Sequence, residues 1–470
     1  AANAGPAALG SPAHLRLNEW MADPLDGNDW FELYNPDGQP VSLAGLYVAD
    51  HPSLFGLADF ALPPLSFIGP EDFVRLIADG QPADGANHVS FSLDAQGEAL
   101  RLYSPDLGVI DAVYFGTQTL GVSEGRLPDG ADHRVFFPRS ASPAASNFLP
   151  LENAVIHEVL ARADPPLEDA IELYNPASRA ADLGGWYLSG TSANFKQFRI
   201  PDGATLPGGG YLVFYAAQFN SGAPGGFNLQ AASGGQVFLS AADGAGNLTG
   251  YRAAAAFGPA DRGISFGRFV TSAGVEFPPL SWPTFGVEAP ATPAEFRAGA
   301  GAFNAYPAVG PVVINEIMYH PPDAGTNDNV LDEYIELFNF GGEPAPLFDP
   351  AHPANTWRLD NGVRFQFPPN LVLPAGGRLL VVNFDPVANA AQTAAFRAKY
   401  RVPETVGLAG SYAGKLDNGG ETLELLSPGA PTAGAAEVPY WPRDRVAYAD
   451  AAPWPVSGDG DGNSLQRRAA

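Results

Sequence analysis

The sequence predicts an all-β protein made of tandem domains, and three observations lead to this prediction. The chain has 470 residues, which at about 150 residues per domain suggests three domains. Hydrophobic residues make up 46% of it, enough for several cores, while 54 glycines and 46 prolines exceed what a helical protein tolerates. A strand-like phrase also occurs three times. We therefore expect three turn-rich β domains.

The recurring phrase is a short strand that carries a glutamate between apolar residues. It occurs as WFELYN from Trp30, AIELYN from Ala170 and YIELFN from Tyr334. A second short strand with a glutamate precedes it each time: LRLNEWM from Leu15, AVIHEVL from Ala154 and VVINEIM from Val312. Strands that alternate apolar and polar residues follow in the same order in every copy. The chain therefore consists of three internal repeats.

Each copy contains about seven short strands with turn signals roughly every 8–12 residues, a pattern typical of an immunoglobulin-like β-sandwich. We place three such domains at 13–149, 150–306 and 307–470, after an extended tail at 1–12. One short helix is expected, as an insertion in the third domain at Ala390–Tyr400, because this stretch is rich in helix-forming residues.

Two stretches rich in alanine and proline separate the copies, at 140–153 and 297–311. We interpret both as short, semi-rigid linkers.

The motifs I-N-E-I, E-L-Y-N, L-x-G-W, L-P-G-G and S-x-G-R-x-P-D-G, taken together, resemble the lamin-tail domain family. The similar domains are those of large bacterial secreted or surface proteins. The resemblance covers nearly the whole chain as three tandem copies, of which the third is the closest and the first departs most, with Leu46 where the second has Trp186. It implies an immunoglobulin-like fold and a non-catalytic module used in binding, display or assembly.

Composition excludes several classes of function. The formal net charge is -26 and no run of lysine or arginine occurs, which argues against a nucleic-acid partner. No apolar stretch approaches the roughly 18 residues of a membrane span, so we expect no membrane insertion. The absence of cysteine excludes disulfides and thiolate metal sites. We expect an extracellular or cell-surface protein that was secreted and lost its signal.

Paired glutamates are the first candidate site. The pairs are Glu19 with Glu32, Glu158 with Glu172, and Glu316 with Glu336. Two carboxylates about 5–10 Å apart suit glycoside hydrolysis, so a glycosidase is one alternative. The other is structural, since like charges on neighbouring strands need to be neutralised.

An arginine on the last strand of each copy supports the structural alternative. These arginines are Arg126, Arg268 and Arg467. A guanidinium can bridge two carboxylates, and we interpret the groups as structural ion pairs that register the fold. We therefore expect Arg467 within salt-bridge reach of Glu316 or Glu336, and the other two arginines in equivalent places. Three serines also recur close before these arginines, Ser123, Ser265 and Ser464, and we interpret them as turn residues.

Calcium is the one cofactor that the sequence suggests. The candidate ligands are Asp26 and Asp29 in the first domain, and Asp328, Asp332, Asp459 and Asp461 in the third. Oxygen ligands of this kind suit Ca²⁺. In the loop that begins at Asp459, however, Ala470 occupies the twelfth position, where a complete calcium loop has a bidentate glutamate. Solvated turns explain the same residues without a metal. The seven histidines show no zinc-ligand spacing.

We expect a non-catalytic extracellular structural or adhesive protein, not an enzyme. Its partners would be other cell-surface components or copies of itself, joined head to tail into a filament or surface layer. Sandwich edges can accept an extended segment such as the tail at 1–12, and such contacts propagate. The alternative is an array of carbohydrate- or ligand-binding modules from a larger secreted enzyme, which an exposed platform of tryptophan and tyrosine would favour.

Overall fold

The computed structural model describes residues 8–51, 60–230, 233–259, 261–271, 274–429 and 438–468. This part of the chain is nearly all β, which confirms the predicted fold class. Residues 1–7 of the expected tail lie outside it. The rest of the tail runs along the first sandwich, where the Gly10 backbone N–H donates to the Pro40 carbonyl at 2.9 Å. A 3₁₀ turn at Pro12–His14 then leads into the first strand.

The first sandwich packs two main sheets, ordered β11-β10-β1-β2-β7 and β5-β4-β8-β9, with a small β3-β6 pair. Their facing side chains form one core, which includes Leu17, Phe31 and Leu33, all fully buried. The strands are β1 (Arg16–Met21), β2 (Asp29–Tyr34), β3 (Val41–Ser42), β4 (Tyr47–Ala49), β5 (Phe60–Ala61), β6 (Phe67–Ile68), β7 (Phe73–Ala78), β8 (Ala99–Tyr103), β9 (Val109–Tyr114), β10 (Ser123–Arg126) and β11 (Arg134–Phe137).

The second sandwich repeats this plan with sheets ordered β19-β14-β13-β22 and β12-β21-β20-β16-β17, and with small β15-β18 and β23-β24 pairs. Its core is separate from the first one. The elements are β12 (Leu149–Pro150), β13 (Val155–Leu160), β14 (Ala170–Tyr174), β15 (Ala181–Asp182), β16 (Tyr187–Ser189), β17 (Phe198–Arg199), β18 (Thr205–Leu206), β19 (Tyr211–Tyr215), α1 (Ala216–Phe219), β20 (Gly235–Ala242), β21 (Leu248–Phe257), β22 (Ser265–Gly267), β23 (Phe269–Thr271), β24 (Gly274–Glu276) and α2 (Pro293–Phe296).

The third sandwich has sheets ordered β34-β33-β26-β25-β37 and β31-β30-β35-β36, with small β27-β32 and β28-β29 pairs. It too has its own core. The elements are β25 (Val312–Met318), β26 (Tyr334–Asn339), β27 (Ala345–Pro346), β28 (Phe348–Asp349), β29 (His352–Thr356), β30 (Arg358–Asp360), β31 (Phe365–Gln366), β32 (Val372–Leu373), β33 (Arg378–Val382), α3 (Ala390–Tyr400), β34 (Gly407–Gly410), β35 (Gly420–Pro428), β36 (Tyr440–Ala449) and β37 (Leu465–Gln466), with 3₁₀ turns at Val330–Asp332 and Val456–Gly458.

The predicted helix in the third domain is present with the predicted bounds. Its buried Phe396 packs on the sheet face around Met318, Tyr334 and Val382, so the insertion covers part of that sheet. Within the described ranges, the chain has no helix of the length and apolarity needed to cross a membrane.

Candidate functional site: the paired glutamates

A β-bulge sets the position of each glutamate pair. The pairing of the first two strands of every domain shifts register one residue before the first glutamate, as at Leu17/Glu19 in the first domain. After the bulge, Glu19 lies directly opposite Glu32, and the pairs Glu158/Glu172 and Glu316/Glu336 follow the same register. The bulge adds one residue to the first strand, so it re-aims the side chains that follow. The structure thus brings together every predicted pair.

The glutamates lie on the sheet face that points away from the core. Phe31 and Leu33 belong to the hydrophobic core, and successive side chains of a strand point to opposite faces, so Glu32 between them faces outward. The same alternation holds around Glu172 and Glu336. An outward glutamate is ordinarily solvated. Yet Glu19, Glu32, Glu158 and Glu172 all have no exposed surface, so something must cover them.

The cover of the first pair is the segment that follows the last strand of the first domain. Glu19 accepts hydrogen bonds from the Ser142 backbone N–H at 3.1 Å and from the Ser142 hydroxyl at 3.1 Å. It also accepts a short hydrogen bond from Ser123 on β10. Glu32 accepts from the Ala144 N–H and from Asn18 Nδ2, both at 2.8 Å. Both carboxylates therefore accept at least two hydrogen bonds from their own domain.

The second pair is covered in the same way. Thr284 donates to Glu158 through its N–H at 2.9 Å and its hydroxyl at 2.6 Å, and Ser265 adds a hydroxyl at 2.5 Å. Glu172 accepts from the Ala302 N–H at 3.0 Å and lies 2.6 Å from His157 Nδ1. His157 occupies the bulge position that Asn18 has in the first domain.

An asparagine locks each covering segment onto the sandwich. In the first domain, Asn147 Nδ2 donates to the backbone carbonyls of Asn18 at 3.2 Å and Arg126 at 2.9 Å. In the second, Asn304 Nδ2 donates to the carbonyls of His157 at 3.1 Å and Arg268 at 3.0 Å. These asparagines lie in the stretches interpreted above as linkers, at 140–153 and 297–311. That interpretation was wrong for the part of each stretch that packs back over the glutamates.

The third pair has a different environment. Glu316 is partly exposed and accepts from the Tyr334 and Ser464 hydroxyls, both at 2.5 Å. Glu336 accepts from Asn315 Nδ2 at 2.7 Å and from Arg378 Nε at 3.1 Å. The hydrogen bonds that the described residues make to these two carboxylates come from side chains, whereas Ala144 and Ala302 donate backbone N–H groups in the other domains.

Burial changes the protonation of the covered pairs. It raises the pKa of Glu19 and of Glu158 to about 7 and that of Glu172 to about 8, despite the hydrogen bonds that favour the charged forms. The pKa of Glu32 is raised well above its usual value by burial and then by the negative charge of Glu19. Burial also lowers the pKa of His157 to about 4, so this histidine is neutral at neutral pH.

The three serines that precede the arginines belong to the site. Ser123, Ser265 and Ser464 each donate a hydroxyl hydrogen bond to the first glutamate of their pair. Their interpretation as turn residues was wrong. The signal in the sequence was their constant spacing of three residues before Arg126, Arg268 and Arg467.

The arginines bind other carboxylates than predicted. Arg126 Nη2 lies 2.9 Å from Asp111, and Arg467 Nη2 lies 2.6 Å from Asp444. The register gives the reason. Glu19 is paired with Gly125, and because side chains alternate along a strand, Arg126 points to the opposite face, toward the other sheet.

The same register holds in the other domains, where Glu158 faces Gly267 and Glu316 faces Gln466, each one residue before the arginine. Arg268 has no ion pair with any described residue, and Glu336 binds Arg378 instead of Arg467. The expected Arg467 contact with a glutamate is therefore wrong.

Three of the predicted calcium ligands of the third domain lie against basic side chains. In the third domain Asp328 binds Lys415 at 2.7 Å, Asp332 binds Lys399 at 2.6 Å, and Asp459 binds His320 Nδ1 at 2.5 Å, while Asp461 is exposed. The lysines compensate two of these carboxylates.

In the first domain, Asp26 is exposed and Asp29 accepts from the Leu93 N–H at 3.0 Å. Two groups of the described residues have ligand atoms close enough to share an ion: Asp79, Asp84 and His88, and His320, Asp323 and Asp328. Asp328 is the predicted ligand among them. Calcium binding stays a prediction.

The comparison with known proteins agrees with the repeat. Residues 10–117 and 150–253 match the Lamin Tail Domain family, which consists of immunoglobulin-like structural domains. No curated protein and no solved structure matches the chain. The matched ranges lie in the first and second domains, and the third copy, which the sequence predicted to be the closest, lies outside them. Two successive stretches of the chain are therefore similar to lamin tail domains, which is consistent with a tandem arrangement.

Proposed function

We propose that this chain is a non-catalytic structural protein that acts outside the cell. The observation that carries the proposal is the covering of the glutamate pairs in the first two domains, where four carboxylates are fully buried and bonded to their own domain. A glycosidase needs both carboxylates open to a sugar and to water. Buried carboxylates that fasten a segment to a sheet fit a structural role instead.

Hydrolysis assays test the non-catalytic part of this proposal. We expect the full chain to release no product from a panel of aryl glycosides above the rate of the Glu316→Gln variant. This variant removes one carboxylate of the partly exposed pair, where a substrate could reach most easily. Turnover by the full chain that is lost in the variant would overturn the proposal.

Self-association is the form of structural role that we propose. The strand β11 lies at the edge of its sheet and exposes 55% of Phe136, so it offers both unpaired backbone groups and apolar surface to a second copy. Sedimentation velocity over a concentration series tests this. We expect concentration-dependent assembly that Phe136→Lys weakens and Phe67→Lys, on the small third sheet, leaves unchanged. A chain that stays monomeric at every concentration would contradict it.

A second candidate function is carbohydrate binding by the second domain. Trp282, Phe303 and Tyr306 are exposed by 58%, 82% and 77%, and the Ser281 N–H binds the Tyr306 carbonyl at 2.9 Å, which brings two of the aromatic residues onto adjacent strand-like segments. Exposed aromatic rings can stack on sugar rings. Affinity electrophoresis in soluble polysaccharides should show retardation that Trp282→Ala abolishes and Tyr251→Ala, another exposed aromatic residue, does not.

A further inference from the structure

Two domains share an internal brace that joins their two sheets. In the first domain, Asp111 on β9 accepts from Arg126 Nη2 and from the Leu17 N–H at 2.8 Å, while Arg126 Nε donates to the Leu17 carbonyl at 2.8 Å. In the third, Asp444 on β36 makes the same contacts with Arg467 and Ile314. The arginine is thus compensated by an aspartate of its own domain.

The second domain lacks the aspartate of this brace. Asp111 lies opposite Leu102 and Asp444 lies opposite Leu425 in their hairpins. The equivalent leucine is Leu239, because each of the three follows a positive-φ glycine by five residues. The residue opposite Leu239 is Ala253. An alanine therefore stands where the other domains have the carboxylate.

The loss of this carboxylate leaves Arg268 without a charged partner among the described residues. Its backbone is nevertheless fixed, since its N–H donates to the His157 carbonyl at 2.7 Å and its carbonyl accepts from Asn304. Burial lowers the pKa of Arg268, yet a guanidinium remains protonated at neutral pH. A held, partly buried cation without a counter-ion is costly, and it favours a site where an anion can be supplied from outside.

Arg268 lines a cavity of about 750 Å³ between the second and third domains. This volume lies in the usual range of small-molecule sites, roughly 300–1,000 Å³. Three arginines of the third domain line it as well, Arg443, Arg445 and Arg467. Arg445 is 3.5 Å from Glu424, and Arg467 belongs to the brace with Asp444.

Arg443 is a second cation of the cavity; burial lowers its pKa, and the nearby negative charge of Asp261 partly offsets this effect. Its Nε donates to the Ser427 hydroxyl at 2.7 Å, and it forms no ion pair with the described part of the chain. Glu276 also lines the cavity and offsets one of the two free positive charges. The lining as a whole carries four arginines against three carboxylates, which is unusual in a chain of net charge -26, and its residues lie far apart in sequence.

We propose that the cleft between the second and third domains binds an oxyanion, a carboxylate, sulfate or phosphate group, through Arg268 and Arg443. A guanidinium presents a planar fork of N–H donors that matches the oxygens of these groups. The apolar wall formed by Phe269, Phe277 and Val309 would contact the carbon skeleton of an organic anion. Because the arginines come from two domains, the bound anion would also fasten these domains together.

Thermal unfolding of the full chain in sulfate, phosphate and citrate tests the proposal, with sodium chloride at matched ionic strength as the control. We expect a saturable rise of the melting temperature with at least one of the three oxyanions, and the three arms identify which group fits best. A melting temperature that depends on ionic strength alone would overturn the proposal.

Single arginine substitutions test whether the oxyanion binds in this cleft. Isothermal titration with the best oxyanion should show at least tenfold weaker binding for Arg268→Ala and for Arg443→Ala. Arg179→Ala removes an exposed arginine of the same domain outside the cavity, so it controls for the change in net charge and should bind as the wild type does. Equal binding by Arg268→Ala and the wild type would place the anion elsewhere and overturn the proposal.

Ala253→Asp is the sharpest variant, because it restores the aspartate of the other two domains. The new carboxylate should bind Arg268 and remove it from the cleft, so oxyanion affinity should fall as far as in Arg268→Ala without loss of the fold. Unchanged affinity in a folded Ala253→Asp protein would contradict the assignment. Should this variant fail to fold, Arg268→Ala decides alone.

Discussion

The glutamate pairs of the second and third domains occupy the same bulge and the same register but differ in what covers them. Glu158 and Glu172 have no exposed surface, because the segment through Thr284 and Ala302 lies over them. Glu316 is partly exposed and is held by side-chain hydroxyls instead. The strands place the carboxylates, and the segment after the last strand decides whether water reaches them.

This difference has an electrostatic consequence. A carboxylate on the outer face of a sheet keeps its charge at little cost while water solvates it. Once a segment covers the pair, two like charges lie close together in a poorly solvated place, and their pKa values rise. The covered carboxylates whose pKa is raised to about 7 or 8 therefore titrate in the neutral range. In the third pair burial also raises the pKa of Glu336, and Arg378 opposes this effect.

The largest expected effect is the pH dependence of a covered glutamate. The pKa of Glu19 is about 7 in the folded protein against 4.5 for the ordinary group, so the folded state binds the proton more tightly. Its contribution is present below about pH 4.5 and is lost as the pH rises through about 7, a difference of about 3 kcal/mol. Glu19→Gln should remove this dependence.

Chemical denaturation at pH 4.5 to 8, followed by hydrogen exchange in β1, measures the effect. The stability of the wild type relative to Glu19→Gln should fall over this interval. Glu158→Gln, followed in β13, is the matched comparison in the other covered pair and should show a similar fall, because burial raises the pKa of Glu158 to about 7 as well. Parallel curves for Glu19→Gln and the wild type would show that Glu19 titrates normally.

Removing the asparagine that holds a covering segment should lower the free energy of unfolding by less than this pH effect. Asn147→Ala and Asn304→Ala each leave two backbone carbonyls without their donor, and each buried group left without a partner costs about 1–3 kcal/mol. We expect a loss of about 2–3 kcal/mol in the affected domain. Urea unfolding measures it, with Asn87→Ala and Asn194→Ala as exposed controls in the same domains.

Much of this fold follows from the sequence, because it rests on periodic patterns. The alternation of apolar residues around Glu32, Glu172 and Glu336 predicts the strands and their pairing, and helix-forming residues predict Ala390–Tyr400. The domain limits, which depend on turn composition, stay predictions.

The cover of the site could not be predicted in the same way. Ala144 and Ala302 act through backbone N–H groups, so their side chains carry no signal, and their alanine- and proline-rich surroundings are typical of linkers. The partners of the arginines follow from the bulge and from strand alternation, which require the register. Asp111 could be recognised only once β9 was placed beside β1.

A smaller difference in stability is expected when the serine hydroxyl is removed from a covered pair and from the partly exposed pair. Ser123→Ala removes a donor to a fully buried carboxylate, which water cannot replace, and should cost about 1–2 kcal/mol. Ser464→Ala removes the equivalent donor from the partly exposed Glu316, where water can take its place, and should cost less than about 1 kcal/mol. Thermal unfolding of both variants measures the difference. Equal losses would mean that the third pair is as well covered in solution as the first.

The smallest expected effect concerns Arg378, which binds the second glutamate of the third pair. Its guanidinium binds Glu336 at 3.1 Å and lies 4.7 Å from the centre of the Phe338 ring, but its side chain is 47% exposed. Solvent screens such a pair, so Arg378→Gln should lower the stability of the third domain by less than about 1 kcal/mol, and high salt should reduce the loss further. Arg126→Gln provides the contrast, because it leaves the poorly exposed Asp111 without its guanidinium, so its loss of stability should be larger than that of Arg378→Gln and little changed by salt. Unfolding of both variants in low and high salt measures the two losses. A large, salt-independent loss of stability in Arg378→Gln would show that this arginine excludes water from the third pair as completely as the covering segments do in the first two domains.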